Sequence, residues 1–334
     1  MISNALPDYD LTARNTLGLK ARSQYAVLIE SEDQLPGLFE TADEAGLPVR
    51  LLGGGSNVIL GEHYAGVTAI MTSHGRTLTP ASDGRVMLEA SAGENWHELV
   101  AWTVAQGLWG LENLAGIPGT VGAAPIQNIG AYGVEVGDRF HSLVAFDRTA
   151  GAFVTLDREA CRFAYRHSVF KEQPGRYVVT RVRLELAQNG RAELGYRELA
   201  SLGQVDHPET VMNAVLKLRG SKLPDWRILG NVGSFFHNPV LGGAAAQAFV
   251  AAHPNAPAFP QPDGSVKLSA GWLIEQAGLK GYRQGPVGVS AQHALVLVNH
   301  GGASRTDLMG LADHVVAVVA DRFGIKLNRE PELI

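Results

Sequence analysis

Residues 107–133 read GLWGLENLAGIPGTVGAAPIQNIGAYG, and this stretch decides the fold. Its 27 residues hold seven glycines and one charge, Glu112, and neither a helical nor a strand period runs through them. Solvent loops of that length are polar, and compact domains rarely contain an unstructured loop of this size. The economical reading is main chain wrapped against something buried. That is either the protein's own core or a ligand that needs close backbone approach.

Outward from this stretch the periods return. Asn95 with Glu98 predicts a capped helix whose Trp96, Leu99, Val100 and Val104 face inward, ending at Gly107. Upstream, 25–30, 49–52, 67–72 and 86–90 read as strands, and Ser31 with Gln34 predicts a helix from Ser31 to about Gly46. Downstream, 142–147 and 152–156 form a hairpin through Gly151. In 177–186, Val182, Leu184 and Leu186 alternate with Arg181, Arg183 and Glu185, so this strand is half exposed. Val211, Met212, Val215 and Leu218 mark one face of a helix opening at Pro208, and Gly220 to Gly233 reads as a break. A smaller α+β region follows, with helices near 243–252 and 270–277 and a strand at 294–299. Ser304 with Asp307 caps a last helix carrying Leu308, Leu311, Val315, Val318 and Arg322 to Gly324, and 325–334 is a strand-like tail. The pattern is α+β, without repeats.

Composition narrows the function. The chain has 334 residues, too many for one typical core, so two or three domains are expected. With 28 basic and 33 acidic residues the net charge is −5, which argues against a nucleic-acid partner needing a basic field. No apolar run is long enough to span a membrane, and MISNALPDYDLTARN has neither the cationic head nor the apolar core of a secretory signal. One cysteine, Cys161, can form neither an internal disulfide nor a thiolate zinc cage, which fits a cytoplasmic location. Its apolar neighbours suit a buried structural thiol better than a nucleophile.

Several chemistries are absent. There is no phosphate loop of the G-x-x-x-x-G-K-[ST] kind and no Rossmann G-x-G-x-x-G. His97-Glu98 lacks the second histidine of a zinc helix, and no metal site is expected. Neither Ser56 nor Ser234 sits in a nucleophile elbow. What remains is three glycine-bearing segments. Gly53-Gly54-Gly55-Ser56-Asn57 follows a strand without opening a helix, and is either a tight turn or a nest of N–H groups able to cradle a pyrophosphate. The second is IPGTVGAAPIQNIGAYG at 117–133, and the third GNVGSFFHNP at 230–239.

With Asn15-Thr16, Tyr165-Arg166-x-Ser168-x-Phe170-Lys171 and the tail Glu330-Pro331-Glu332 in order, the sequence resembles the UDP-N-acetylenolpyruvoylglucosamine reductases. These are flavoenzymes of peptidoglycan precursor synthesis, and the resemblance runs from about residue 14 to the C-terminus. The Tyr196 region and the insertion at 140–160 are similar to the longer, type I branch. The chain stops at Glu332-Leu333-Ile334, where members of the family usually continue. The resemblance implies an α+β fold with two FAD-binding subdomains of the vanillyl-alcohol-oxidase type, at 1–72 and 73–218. A smaller domain at 219–320 would close over the UDP-sugar, and a return segment at 321–334 would carry Glu332. It implies NADPH as hydride donor, reduction of an enolpyruvyl double bond, UDP-N-acetylmuramate as product, and small-molecule partners with neither nucleic acid nor membrane. Another flavin oxidoreductase of the same fold, acting on a sugar or hydroxy acid, is the alternative.

By resemblance, FAD is held non-covalently by Gly53, Gly54, Gly55, Ser56, Asn57, Ile117, Pro118, Gly119, Thr120, Gly122, Ala123, Gln127 and Arg166. The implied catalytic residues are Arg166, which forks the substrate carboxylate, Ser234, which donates a proton, and Glu332, which assists the enolate. Tyr132, Tyr196, Arg219, Lys222 and Asn238 are implied to grip the UDP-sugar. Each residue type suits its role: a guanidinium is permanently charged and bidentate, and a positioned hydroxyl can protonate a strongly basic enolate. Without the resemblance, Arg166 reads equally as a surface ion-pair arginine, Ser234 as a strand entry or cap, and Glu332 as a solvated end. His293 is either a substrate neighbour or a structural histidine.

Overall fold

The computed structural model describes residues 4–334. The chain divides into two units interleaved in sequence. One comprises the segment ending at Tyr9 with Ser23–Gly55 and Tyr64–Arg219, and the other comprises Asp10–Arg22, Ser56–His63 and Gly220–Ile334. The expected borders at 72 and 320 do not fall between these units.

The first unit holds two sheets. Leu6–Asp10, Arg22–Ile29, His63–Met71 and Val49–Leu52 lie side by side in that order, the last two parallel with Val49 opposite Val67 and Leu52 opposite Ile70. The helix Gln34–Glu44 buries Leu35, Leu38 and Phe39 against Val27, Ile29, Val67 and Ala69. It starts three residues later than the sequence suggested. The Gln34 Oε1 atom accepts the N–H groups of Glu30 and Ser31, at 2.8 and 2.9 Å, and closes a turn before the first helical residue. The second sheet is antiparallel, in the order Ala152–Asp157, Phe140–Asp147, Tyr177–Ala187, Arg85–Ser91, Arg76–Pro80. The last strand escaped sequence reading because it is a polar edge with no apolar alternation. Asn95 Oδ1 accepts the N–H of Glu98 at 3.0 Å and caps the helix Trp96–Ala105. This helix and Pro208–Lys222 cover the sheet, joining Trp96, Leu99, Val211 and Val215 to Leu143, Val182 and Leu184 in one core. Each such apolar side chain contributes about 1.5–3 kcal/mol by burial. The border between the two units falls between Arg219 and Gly220, as expected, but the helix does not break there. The helix carries through it to Lys222, a glycine in the last turn costing about 1 kcal/mol against alanine.

The second unit is built on an antiparallel sheet in the order Gly230–Ser234, Val296–Asn299, Val287–Val289, Arg283–Gln284. The helix Arg305–Phe323 has a reciprocal cap, Ser304 Oγ accepting from Asp307 N and Asp307 Oδ2 from Ser304 N, and ends at Gly324 with φ +68°. Its inward face is Leu308, Leu311, Ala312, Val315 and Val319. Val319 takes the place expected of Val318, since 308, 311, 315 and 319 keep one helical face. Residues 10–22 belong here because Asn231 N–H donates to Thr16 O and Asn299 Nδ2 to Leu17 O, both at 2.9 Å. The tail is strand only at Glu332–Leu333, which pairs parallel with Val58–Ile59.

Candidate active site

Neighbouring chain approaches the glycine segments of the first unit too closely for a side chain. A β-carbon on Gly53 would lie 2.6 Å from Thr120 Oγ1, one on Gly54 2.7 Å from Gly119 Cα, and one on Gly122 2.5 Å from Ala92 Cβ. The long segment is fixed from behind: Trp96 N–H donates to Gly119 O, Val121 N–H to Glu94 O and Gly122 N–H to Ala92 O, at 2.9–3.1 Å. Its middle is not a featureless loop but a chain of short turns, Glu112–Leu114 and Val121–Ala123, ending in the hairpin Gly130–Ala131 with Val134–Glu135. Among the described residues, the N–H groups of Gly53, Gly54 and Gly55 donate no hydrogen bond, and the buried Thr120 hydroxyl has no partner. Gly55 and the Thr120 hydroxyl are buried, where donors are seldom left this way, whereas Gly54 is exposed. Consecutive spare N–H groups beside a spare hydroxyl form the donor set a pyrophosphate requires.

Beyond this cradle, Arg166 adopts a left-handed φ of +51° and its guanidinium donates from Nη1 to Asn128 O at 3.3 Å and from Nη2 to Gly130 O at 2.7 Å. Glu135 Oε1 lies 3.8 Å from Nη1. A non-glycine residue in that region is strained, as functional positions often are. The Tyr132 and Tyr196 rings meet edge to face with centroids 5.0 Å apart. Arg219 packs over Gly116, where a β-carbon would come within 3.2 Å of its Nε atom, and burial lowers its affinity for the proton. His97 Nδ1 accepts the Gly116 N–H at 3.2 Å, and burial, then the Arg219 charge, holds its imidazole below the ordinary histidine value.

In the second unit, Gly233 has φ +71° and the pairing register with Val296–Asn299 slips between Asn231 and Ser234. This is a β-bulge, the device that re-aims one side chain out of a sheet. The fully buried Phe235 and Phe236 clamp the chain just after it, leaving Ser234 half exposed. The tail runs alongside: Glu330 N–H donates to Phe235 O, His237 N–H to Asn328 O, Glu332 N–H to Asn57 O and Ile334 N–H to Ile59 O, at 2.9–3.2 Å. Glu332, exposed, thus rides on a segment tied on both sides.

Profiles of two known domains match parts of the chain. That of an FAD binding domain matches residues 23–157, and that of the UDP-N-acetylenolpyruvoylglucosamine reductase C-terminal domain matches residues 224–334. The reductase of that name from Neisseria meningitidis is 48% identical over 329 residues, covering 96% of this chain and 95% of its own. The chain belongs to the UDP-N-acetylenolpyruvoylglucosamine reductase family. The Paraburkholderia phytofirmans reductase is 47% identical over 331 residues, with 97% and 96% covered. The crystal structure of the Thermus caldophilus reductase superposes with a TM-score of 0.67 at 26% identity, covering 98% and 97%. This family member is therefore an oxidoreductase whose cofactor is FAD, on the two-domain α+β FAD-binding fold.

The residues that the resemblance implied fall into two sets in the reductase. Gly53 to Gly55, Ile117 to Thr120, Gly122, Ala123, Gln127, Tyr132, Arg166, Tyr196 and Arg219 are in the first unit, and Ser56, Asn57, Lys222, Ser234, Asn238 and Glu332 in the second. Asn238 has a structural task as well, since its Oδ1 accepts the Ala270 N–H at 3.0 Å at the start of the helix Ala270–Gln276. His293 turns its Nδ1 to the Leu295 N–H at 3.3 Å, and burial, then Lys222 and Lys280, hold it below the ordinary histidine value. Sequence reasoning missed Asn128 and Glu135, whose contacts frame Arg166. The one signal for Asn128 was an asparagine, which tolerates left-handed backbone, within a run of glycines.

Neither histidine nor cysteine occurs in 53–57 or 107–133, and Cys161 is buried with its thiol pushed up to about 12 by burial. FAD should therefore be released completely on acid precipitation of the reductase. Colour retained in the pellet would reveal a covalent link.

Proposed function

We propose that this reductase takes its hydride from NADPH and that Arg166, Ser234 and Glu332 act on the enolpyruvyl group. The reaction is that of the family: UDP-N-acetylenolpyruvoylglucosamine is reduced to UDP-N-acetylmuramate in peptidoglycan synthesis. FAD, when bound, supplies the hydride transfer between nicotinamide and the enolpyruvyl carbon. The spare N–H groups of Gly53 to Gly55 and the Thr120 hydroxyl would hold its pyrophosphate.

Arg166 binds the substrate carboxylate and stabilises the negative charge that spreads onto it as the double bond takes up hydride. Ser234 gives its hydroxyl proton to the carbon next to that carboxylate, and its oxygen is reprotonated from solvent. Glu332 orients the developing enolate or its proton donor. Tyr132, Tyr196, Arg219, Lys222 and Asn238 bind the UDP-sugar. The observation that carries this reading is Ser234 on a glycine bulge, followed by a buried Phe pair whose chain is hydrogen-bonded to the tail bearing Glu332. Residues 1–72 and 73–218 then serve FAD, 219–320 the UDP-sugar, and 321–334 returns Glu332. A cytoplasmic location suits these soluble reactants, and no helix of the described residues is long and apolar enough to cross a membrane.

Lys222 tests the substrate half of the proposal. A charge-assisted contact contributes about 1.5–3 kcal/mol. Lys222→Ala should therefore weaken binding of UDP-N-acetylenolpyruvoylglucosamine to the oxidised enzyme by about 10- to 100-fold, read by titrating the flavin absorbance. Unchanged affinity would remove Lys222 from the site. Bleaching of the flavin by NADPH in the unaltered protein, followed by recovery of colour when the enolpyruvyl substrate is added, tests the reaction itself.

A further inference from the structure

We propose that Asn128 is a positioning residue of the reduction, holding Arg166 in the orientation that receives the substrate carboxylate. The proposal rests on the reading of Arg166 given above. Asn128 is buried, 2% exposed, with a left-handed φ of +46°. Its side chain reads three pieces of chain at once. Nδ2 donates to Glu135 Oε2 at 2.7 Å and to Ala164 O at 3.2 Å, and Oδ1 accepts the Gly137 N–H at 2.8 Å. Ala164 is two residues before Arg166, and Glu135 faces the Arg166 guanidinium. The carbonyl of Asn128 itself accepts from Arg166 Nη1.

One amide thus fixes both the chain that carries the arginine and the groups that its guanidinium rests on. Arg166 needs such a frame, because its own backbone lies in a region an unrestrained arginine avoids. A long side chain with several rotamers presents a bidentate fork only when its other donors are pinned, and two are, by the carbonyls of Asn128 and Gly130. The amide is matched to its surroundings: an acceptor toward an N–H, and donors toward a carboxylate and a carbonyl. No hydrophobic or acidic replacement reproduces that set.

Asn128→Asp in the holoenzyme is the test. Aspartate keeps the size, the tolerance for left-handed backbone and the bond from Gly137, but sets a carboxylate oxygen against Glu135. Two ligands serve as probes by flavin absorbance titration: UDP-N-acetylenolpyruvoylglucosamine, and UDP-N-acetylglucosamine, which lacks the carboxylate. Affinity for the first should fall about 10-fold or more, and its limiting reoxidation rate on the order of 10²-fold, as for an ångström-scale misplacement. Affinity for the second should stay unchanged. Adding Glu135→Gln places an amide donor opposite the new carboxylate and should recover most of the loss. Normal behaviour of Asn128→Asp toward both ligands overturns the proposal. So does equal weakening toward both without recovery in the double variant, which is the mark of a merely structural residue. Arg166→Lys separates the two readings. If it discriminates between the ligands as the unaltered protein does, the role given to Arg166 fails. If it loses the carboxylate ligand alone while Asn128→Asp does not, only the role given to Asn128 fails.

Discussion

The Ser234→Ala enzyme should be reduced by NADPH at nearly the unaltered rate and be reoxidised by the enolpyruvyl substrate ~10²–10⁴-fold more slowly, the loss typical of a positioned general acid. The variant removes one oxygen from a half-exposed position, while the bulge at Gly233 and the anchoring rings of Phe235 and Phe236 stay in place. Stability and FAD binding should therefore change little. Ser234→Cys, which keeps an acidic proton, should retain more activity than alanine. Stopped-flow absorbance with the half-reactions measured separately gives the answer. Unimpaired reoxidation in the alanine variant would exclude Ser234 as the donor. Equal slowing of both halves would point instead to a disturbed flavin site.

Gly54→Ala should lower the affinity for FAD by about 10- to 100-fold, equivalent to the ~1–3 kcal/mol typical of overpacking. The new methyl would sit 2.7 Å from Gly119 Cα, and what it meets is backbone, not the end of a flexible side chain. Gly119 cannot retreat freely, because its carbonyl holds the Trp96 N–H at the buried start of a helix. Relief has to come from spreading the two segments, which pulls apart the spare donors of Gly53 to Gly55 and the Thr120 hydroxyl. Gly37→Ala is the control: it meets nothing within 4 Å and lies in the exposed side of a helix, where alanine is favoured. Flavin content after gel filtration and a dissociation constant from fluorescence distinguish the two variants. A Gly54→Ala protein that binds FAD as tightly as the control would show that the close approach is not part of the cradle.

Periodicity made the helices and the buried strands legible, since Trp96–Ala105, Tyr177–Ala187 and Arg305–Phe323 all carry a buried stripe in sequence. Where polarity is uniform there is no stripe, and the edge strand Arg76–Pro80 went unread for that reason. The capping box at Ser31 was half a signal: the Gln34 side chain does accept the Ser31 N–H, but the Ser31 hydroxyl accepts from Asp33 N and the residues between form a turn before the helix. The glycine run at 107–133 gave away close packing but not its partner. That Gly54 meets Gly119 is a fact of tertiary approach, invisible to any local pattern. Likewise Ser234 could be named by resemblance, whereas the bulge that aims it needs the pairing register. Asn128 lay within that glycine run, but its partners, Glu135, Gly137 and Ala164, meet it only in three dimensions.

Pairing of Glu332–Leu333 with Val58–Ile59 also sets a timetable for the nascent chain. Residues 58 and 59 leave the ribosome early, yet the ladder they belong to is closed by residues made some 270 positions later. When the first unit is fully synthesised, at Arg219, the second has only residues 10–22 and 56–63. Ile59, fully buried in the finished protein, must wait exposed or be sheltered by something else through that interval. Such long-range closure is slow, since loop entropy is lost before any contact compensates it. Assembly of the second unit therefore has to wait for residues 220–334, and Glu332–Leu333 are among those that complete it.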